Sequence, residues 1–239
     1  AVFGDALRRL ADGANHLTFE HGRYAFTAHT TLNSEAADIA QQLDEEEVFE
    51  ELRARLRGEK RAGAREGFAK IHDAPSSSSD VPDEMEPRLV IIRPERAHEK
   101  KKEDSPARKE ALEIFSTRGS SPRRFRNMLV FLAPDLKERD ALMGETRKYL
   151  AWKPINDEAT ARDLSPSRVQ QVETHLERHD KTIRDKMQQC WKWLLVPIQE
   201  PGEDLEWDGF QLQRNGGLVA RAARKLQEND LLVPKLAAS

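Results

Sequence analysis

Three arginines stand within four positions, Arg123, Arg124 and Arg126, in the run Ser121-Pro-Arg-Arg-Phe-Arg-Asn127. A guanidinium carries its N–H donors in a planar fork that matches phosphate or carboxylate oxygens. The cluster is a candidate contact for nucleic acid, unless its arginines are solvated or paired with nearby acids. Asp135 follows an apolar run, Met128 to Leu132, and then Ala133-Pro134. A carboxylate just past the C-terminal end of a parallel strand sits where ligands bind in open α/β sheets. The same residue can instead N-cap a helix beginning at Leu136. Both readings stand at this point.

Other residues carry less chemistry. His175 and His179 are spaced i, i+4, which can place two metal ligands on one helix face. Without further convergent ligands they read as two exposed histidines on a polar face. Trp152, Trp191 and Trp193 can stack on bases or anchor a core, and their apolar neighbours favour the core. Cys190 is the single cysteine and stands beside Trp191, a setting for packing rather than for a nucleophile. The phosphate-cradling G-x-x-x-x-G-K-[ST] and G-x-G-x-x-G patterns do not occur, nor do C-x-x-C and H-E-x-x-H. No catalytic residue, metal or cofactor is therefore assigned to this stretch.

The elements that must position these residues follow from pattern. Phe3 to Asn15 reads as a short helix. Leu17 to Phe19 and Tyr24 to Thr27 read as strands around a Gly-containing turn. A helix followed by a hairpin suggests a winged-helix-like end. One long helix is expected next, capped near Asn33 or Ser34, with Ile39, Leu43, Phe49, Leu52 and Leu56 as its stripe. Phe68 to His72 reads as a short strand, and the serine- and proline-rich stretch 74–87 as a linker or mobile loop. Leu89 to Ile92 is a short, wholly apolar run. Ser105 and Pro106 then suit the N-cap and first position of a helix that stops by Gly119. Met128 to Leu132 is the second apolar run, with a helix from Leu136 to Leu150 after it. Continuous rather than alternating apolar strands imply burial on both faces, hence a parallel sheet with helical crossovers.

The fold class is thus α/β, a parallel β-α-β-α unit with long helices, flanked by small helix-plus-hairpin elements. Ser165-Pro166 opens another helix, whose apolar spacing runs from Val169 to Leu194 and is expected to end before Pro197. An extended stretch from Leu205 to Leu212 and a short helix from Leu218 to Glu228 complete the chain. The expected division is 1–73, a linker at 74–87, an α/β region at 88–200 and a small tail at 201–239.

Composition narrows the setting. Of 239 residues, 38% are hydrophobic and 34% charged, the latter above the ~25% usual for globular domains. Net charge is −3, so any contact with nucleic acid must use a local patch. No apolar run approaches the ~20 residues of a membrane span, so no membrane partner is expected. One cysteine suits a reducing compartment, and a cytoplasmic location is expected. The opening residues, Ala1 to Asp5, have neither an initiator Met nor a signal-peptide pattern and read as the start of an internal piece.

The run Ser120-Ser-Pro-Arg-Arg-Phe-Arg-Asn-Met-Leu-Val-Phe-Leu-Ala-Pro-Asp135, with Tyr149-Leu-Ala-Trp-Lys-Pro-Ile155 after it, resembles a hallmark of domain-of-unknown-function family 499. Gly22 to Thr27, Val81 to Asp83, Arg88 to Ile92, Trp191 to Pro197 and Leu218 to Val233 are similar to the same family in the same order. The family comprises large prokaryotic P-loop ATPases of AAA+ type, often encoded near phage-defence genes. The resemblance implies the C-terminal part of such a protein. ATP and Mg would then bind upstream of this chain, which has no position matching the phosphate-binding lysine. It implies an association with defence and DNA transactions; together with the winged-helix-like end and the Arg123, Arg124 and Arg126 cluster, the expectation is an accessory role with DNA as a partner. The alternative is a scaffold that binds itself or neighbouring defence proteins.

Overall fold

The computed structural model describes residues 17–20, 23–26, 31–62, 66–100, 102–198 and 204–232, with side chains from 31 onward except those of 59–62. The helix expected at Phe3 to Asn15 lies outside the described residues. The chain divides into two compact units, Ala1–Val48 with Met143–Ile183, and Phe49–Leu142 with Arg184–Ser239.

In the first unit, β1 (Leu17–Glu20) pairs antiparallel with β2 (Arg23–Phe26), Leu17 opposite Phe26. Helix α1 (Leu32–Gln42) is capped by Thr31, whose side chain accepts the Ser34 N–H at 3.3 Å. The cap is therefore two or three residues earlier than expected. The expected single helix is also two. Leu43 is extended, and α2 (Glu45–Ala62) restarts with Glu45, Glu46 and Glu47 in its first turn, where the helix dipole favours acids. The break is held by Arg147, which donates to the Leu43 carbonyl.

Helix α4 (Leu136–Asp157) runs beyond the expected end at Leu150 and contains Pro154. A proline inside a helix costs about 3 kcal/mol or more. Burial of Ala151, Trp152 and Ile155 against Ala36 and Val172 offsets that cost.

The second unit holds a five-stranded sheet, in the order β3 (Lys70–Asp73), β4 (Arg88–Ile91), β7 (Leu129–Pro134), β8 (Trp191–Ile198), β9 (Glu206–Gln211). The first three are parallel, and β8 and β9 are antiparallel to their neighbours. The fold is α/β with parallel pairs inside a mixed sheet. All four residues of β4 are buried, which is the two-sided burial that its unbroken apolar run implies. Helix α3 (Pro106–Ser116) connects β4 to β7, with Pro106 in its first turn and the Ser105 side chain accepting the Arg108 N–H at 3.3 Å. Ala107, Ala111, Ile114 and Phe115 of α3 pack with Val90, Ile92, Phe131, Trp193 and Leu195 of the sheet.

Helix α5 (Pro166–Cys190) stops earlier than its apolar spacing suggests, and Trp191 begins a strand. Trp-Lys-Trp-Leu-Leu-Val is rich in aromatic and branched residues that suit a buried central strand. The ladders to β7 and β9 override the helical period, and Trp191 Nε1 donates to the Ile92 carbonyl at 2.9 Å. The stretch 74–87 is packed rather than free. Ser78–Asp80 makes one helical turn, Ser78 and Val81 are buried, and Val81 joins the α3 core. Helix α6 (Leu218–Gln227) follows β9 and buries Leu218, Val219, Ala222, Ala223 and Leu226. Among the described residues, no helix is long and apolar enough to cross a membrane.

Candidate functional site

Asp135 stands at the C-terminal end of β7, where the alternatives were a helix cap and a ligand contact. Its Oδ1 accepts the backbone N–H of Lys137 and of Glu138, each at 3.2 Å, so it caps α4. Its Oδ2 accepts Trp193 Nε1–H at 2.9 Å and lies 3.3 Å from Lys192 Nζ. Burial alone would raise this carboxyl. The Trp193 and Glu138 hydrogen bonds and the Lys192 charge outweigh it and hold the group below its usual range. Both oxygens are thus committed to the protein.

Beside it, His98 bridges to Asp135 in parallel, its N–H donating to the Pro134 carbonyl at 2.7 Å. His98 Nδ1 is 2.7 Å from Ser105 Oγ, and its ring meets Trp193 edge-on at 5.4 Å. Ser105 Oγ also accepts the Arg108 N–H at 3.3 Å and keeps a second lone pair and its own proton, so it can pair with His98 Nδ1 in either imidazole tautomer. Burial first and the Arg108 charge second push His98 down to about 4, against Asp135 and Glu99. A serine, a histidine and an aspartate therefore lie close together. Ser105 is fully buried and Asp135 turns its oxygens elsewhere, so the group ties the 93–105 loop to the sheet rather than offering a nucleophile.

The arginine cluster lies at the opposite end of β7. Helix α3 ends at Ser116, and β5 (Thr117–Arg118) turns through Gly119-Ser120 into β6 (Ser121–Pro122). Gly119 has φ +59°, a left-handed conformation that favours glycine, and a Cβ there would meet Ser79 Oγ at 2.9 Å. Arg123 is almost wholly buried. Its Nε donates to the Ile114 carbonyl at 2.7 Å and its Nη1 to Pro82 at 3.0 Å. Its Nη2 reaches the Val81, Thr117 and Ser78 carbonyls at 3.0, 3.2 and 3.4 Å. Arg123 thus caps the end of α3 and pins the 78–82 loop; as a phosphate contact it is corrected.

Asp83 supports the same corner. Its carboxylate accepts the backbone N–H of Arg124 at 2.7 Å and of Phe125 at 3.0 Å. Burial alone would raise Asp83, but these bonds and the Arg123 and Arg124 charges hold it low. Arg124 is exposed, its guanidinium 5.7 Å from the Phe125 ring centre. Arg126 is half-buried over Phe115 at 5.8 Å and donates from Nε to the Arg123 carbonyl at 3.2 Å. Arg118, which pattern reading passed over, is exposed in the same hairpin. Its signal was the Arg-Gly-Ser turn that precedes the cluster. Arg118, Arg124 and Arg126 make no ion pair among the described residues.

The histidine pair is not simply exposed. His179 is buried, with Nδ1 3.0 Å from Glu145 Oε2, and His175 stacks on Trp152 at 4.2 Å. Burial lowers His179 despite the pull of Glu145. Among the described residues no three metal-ligating side chains converge. Trp152, Trp191 and Trp193 are buried in cores, and burial pushes the Cys190 thiol up.

Fold and site together define a mixed α/β protein with a rigidly held basic hairpin. No family model, curated protein or solved structure matches the chain.

Proposed function

We propose that this chain is a non-catalytic accessory region of a larger cytoplasmic ATPase linked to DNA transactions or phage defence, and that it contacts nucleic-acid phosphates. The observation that carries the contact is the 117–126 hairpin. Arg123 and Asp83 hold its backbone, while Arg118, Arg124 and Arg126 make no ion pair with an acid among the described residues. A pre-set backbone lowers the entropy lost when a guanidinium grips a phosphate. The resemblance to family 499 supports the link to an ATPase and to DNA, with ATP and Mg upstream.

Fluorescence anisotropy of labelled single-stranded and duplex oligonucleotides tests the contact. The 239-residue chain is expected to bind at low salt. Arg118→Ala with Arg124→Ala should weaken binding by roughly tenfold or more. Binding equal to wild type would remove the hairpin. No binding to either form, with capture of a protein partner, would favour the scaffold reading.

A further inference from the structure

A second basic site lies in the same unit, between the end of α5, β9 and α6. A groove of about 440 Å³ is lined by Lys192, Arg214, Arg221 and the glutamines Gln189, Gln211 and Gln213, with no carboxylate among the described residues of its wall. That volume is within the ~300–1,000 Å³ of small-molecule sites. Its cations are not equivalent. Lys192 is paired with Asp135 at 3.3 Å and Glu138 at 3.4 Å. Arg214 is exposed and makes no ion pair among the described residues.

Arg221 is the unusual one. It is 3% exposed, donates to the Trp191 carbonyl at 2.9 Å and to that of Gln188, and so caps the end of α5. Its Nε has no hydrogen-bond partner among the described residues. No carboxylate among the described residues pairs with it, and burial alone lowers its affinity for its proton. An uncompensated buried cation is costly, and an anion in the adjoining groove would supply the missing counter-charge. Arg224 and Lys225 border an adjoining opening that shares Arg221, although Lys225 is engaged by Glu228 at 3.3 Å.

We propose that this groove binds a phosphate group of a nucleotide-sized ligand, with Arg214 and Arg221 as its cations and the glutamine amides holding the remainder. The site is separate from the arginine hairpin and goes beyond the accessory role proposed above.

The test is calorimetric titration of the whole chain with sodium pyrophosphate, with adenosine monophosphate and with a short single-stranded oligonucleotide. Wild type, Arg214→Ala, Arg221→Lys and the Arg118→Ala/Arg124→Ala double variant are compared. Arg214 is exposed, so its replacement leaves the fold intact, which circular dichroism checks. Pyrophosphate or the nucleotide is expected to bind wild type and the hairpin double variant alike, and Arg214→Ala roughly tenfold or more weakly. Arg221→Lys should also bind more weakly, because a lysine cannot fill the same fork. If only the oligonucleotide binds, and Arg214→Ala weakens it, the phosphate belongs to a nucleic-acid backbone and the site stands. If Arg214→Ala binds all three probes as wild type does, or if no probe binds at millimolar concentration, the site is overturned. If neither pyrophosphate nor the nucleotide binds, and oligonucleotide binding is lost only in the hairpin double variant, the groove is overturned and the hairpin reading stands.

Discussion

The carboxylate of Asp135 joins the first turn of α4 to Lys192 and Trp193 of β8 through two oxygens. Asp135→Ala should lower unfolding free energy by about 2–4 kcal/mol, since it removes a cap and orphans the indole N–H. Asp135→Asn should recover part of that, because an amide oxygen still accepts from the backbone. Urea denaturation measures both. His98 gives a pH dependence. Its folded value is about 4 against an ordinary 6.5, so the unfolded chain binds more protons between these values. Stability is full above about 6.5 and is lost as pH falls through 4, by on the order of 3 kcal/mol at this one residue. Replacement of His98 by Gln should flatten that part of the stability profile; an unchanged slope would mean His98 does not carry it. Pro-Asp-Leu at the junction of an apolar strand and a helix made the cap legible. Trp193, 58 residues away in sequence, left no local signal that would choose between cap and ligand.

At the scale of the element, the hairpin rests on one buried arginine. Arg123→Met strips donors from five carbonyls and should cost more than ~3 kcal/mol. Arg124→Ala should alter stability by no more than about 0.5 kcal/mol, since its side chain is exposed. Thermal melts of the two variants distinguish the supporting arginine from the presented one. The three arginines were legible as a cluster, but their different roles were not. Those roles depend on the 78–83 loop, whose serines and prolines look like linker until Arg123 takes its carbonyls. Caps read well, as Ser105 and Pro106 show, because their chemistry is local. The run from Cys190 to Val196 read badly. Its apolar residues fit a helical period, and only the partner strands β7 and β9 decide for β8.

Both units are assembled from discontinuous stretches, with residues of α2, α4 and α5 contributing to both. A pattern read along the chain registers neighbours in sequence, so the mixed order β3-β4-β7-β8-β9 is only half legible. The parallel three follow from unbroken apolar runs, and the antiparallel two do not. Arg214 and Arg221 escaped notice for the same reason, since the groove gathers them from a loop and a helix. Net charge of −3 provides no global attraction to a polyanion, so nucleic-acid binding must rest on the local cations. The most direct measurement is the salt dependence of oligonucleotide binding by the whole chain and by its Arg118→Ala/Arg124→Ala variant. Each phosphate contact contributes about 0.7 to the log–log slope on a single strand and about 0.9 on a duplex. The variant should lose roughly 1.4 to 1.8 from the slope, the share of two contacts. An unchanged slope, or binding by neither protein, would contradict the assignment of the hairpin to phosphate.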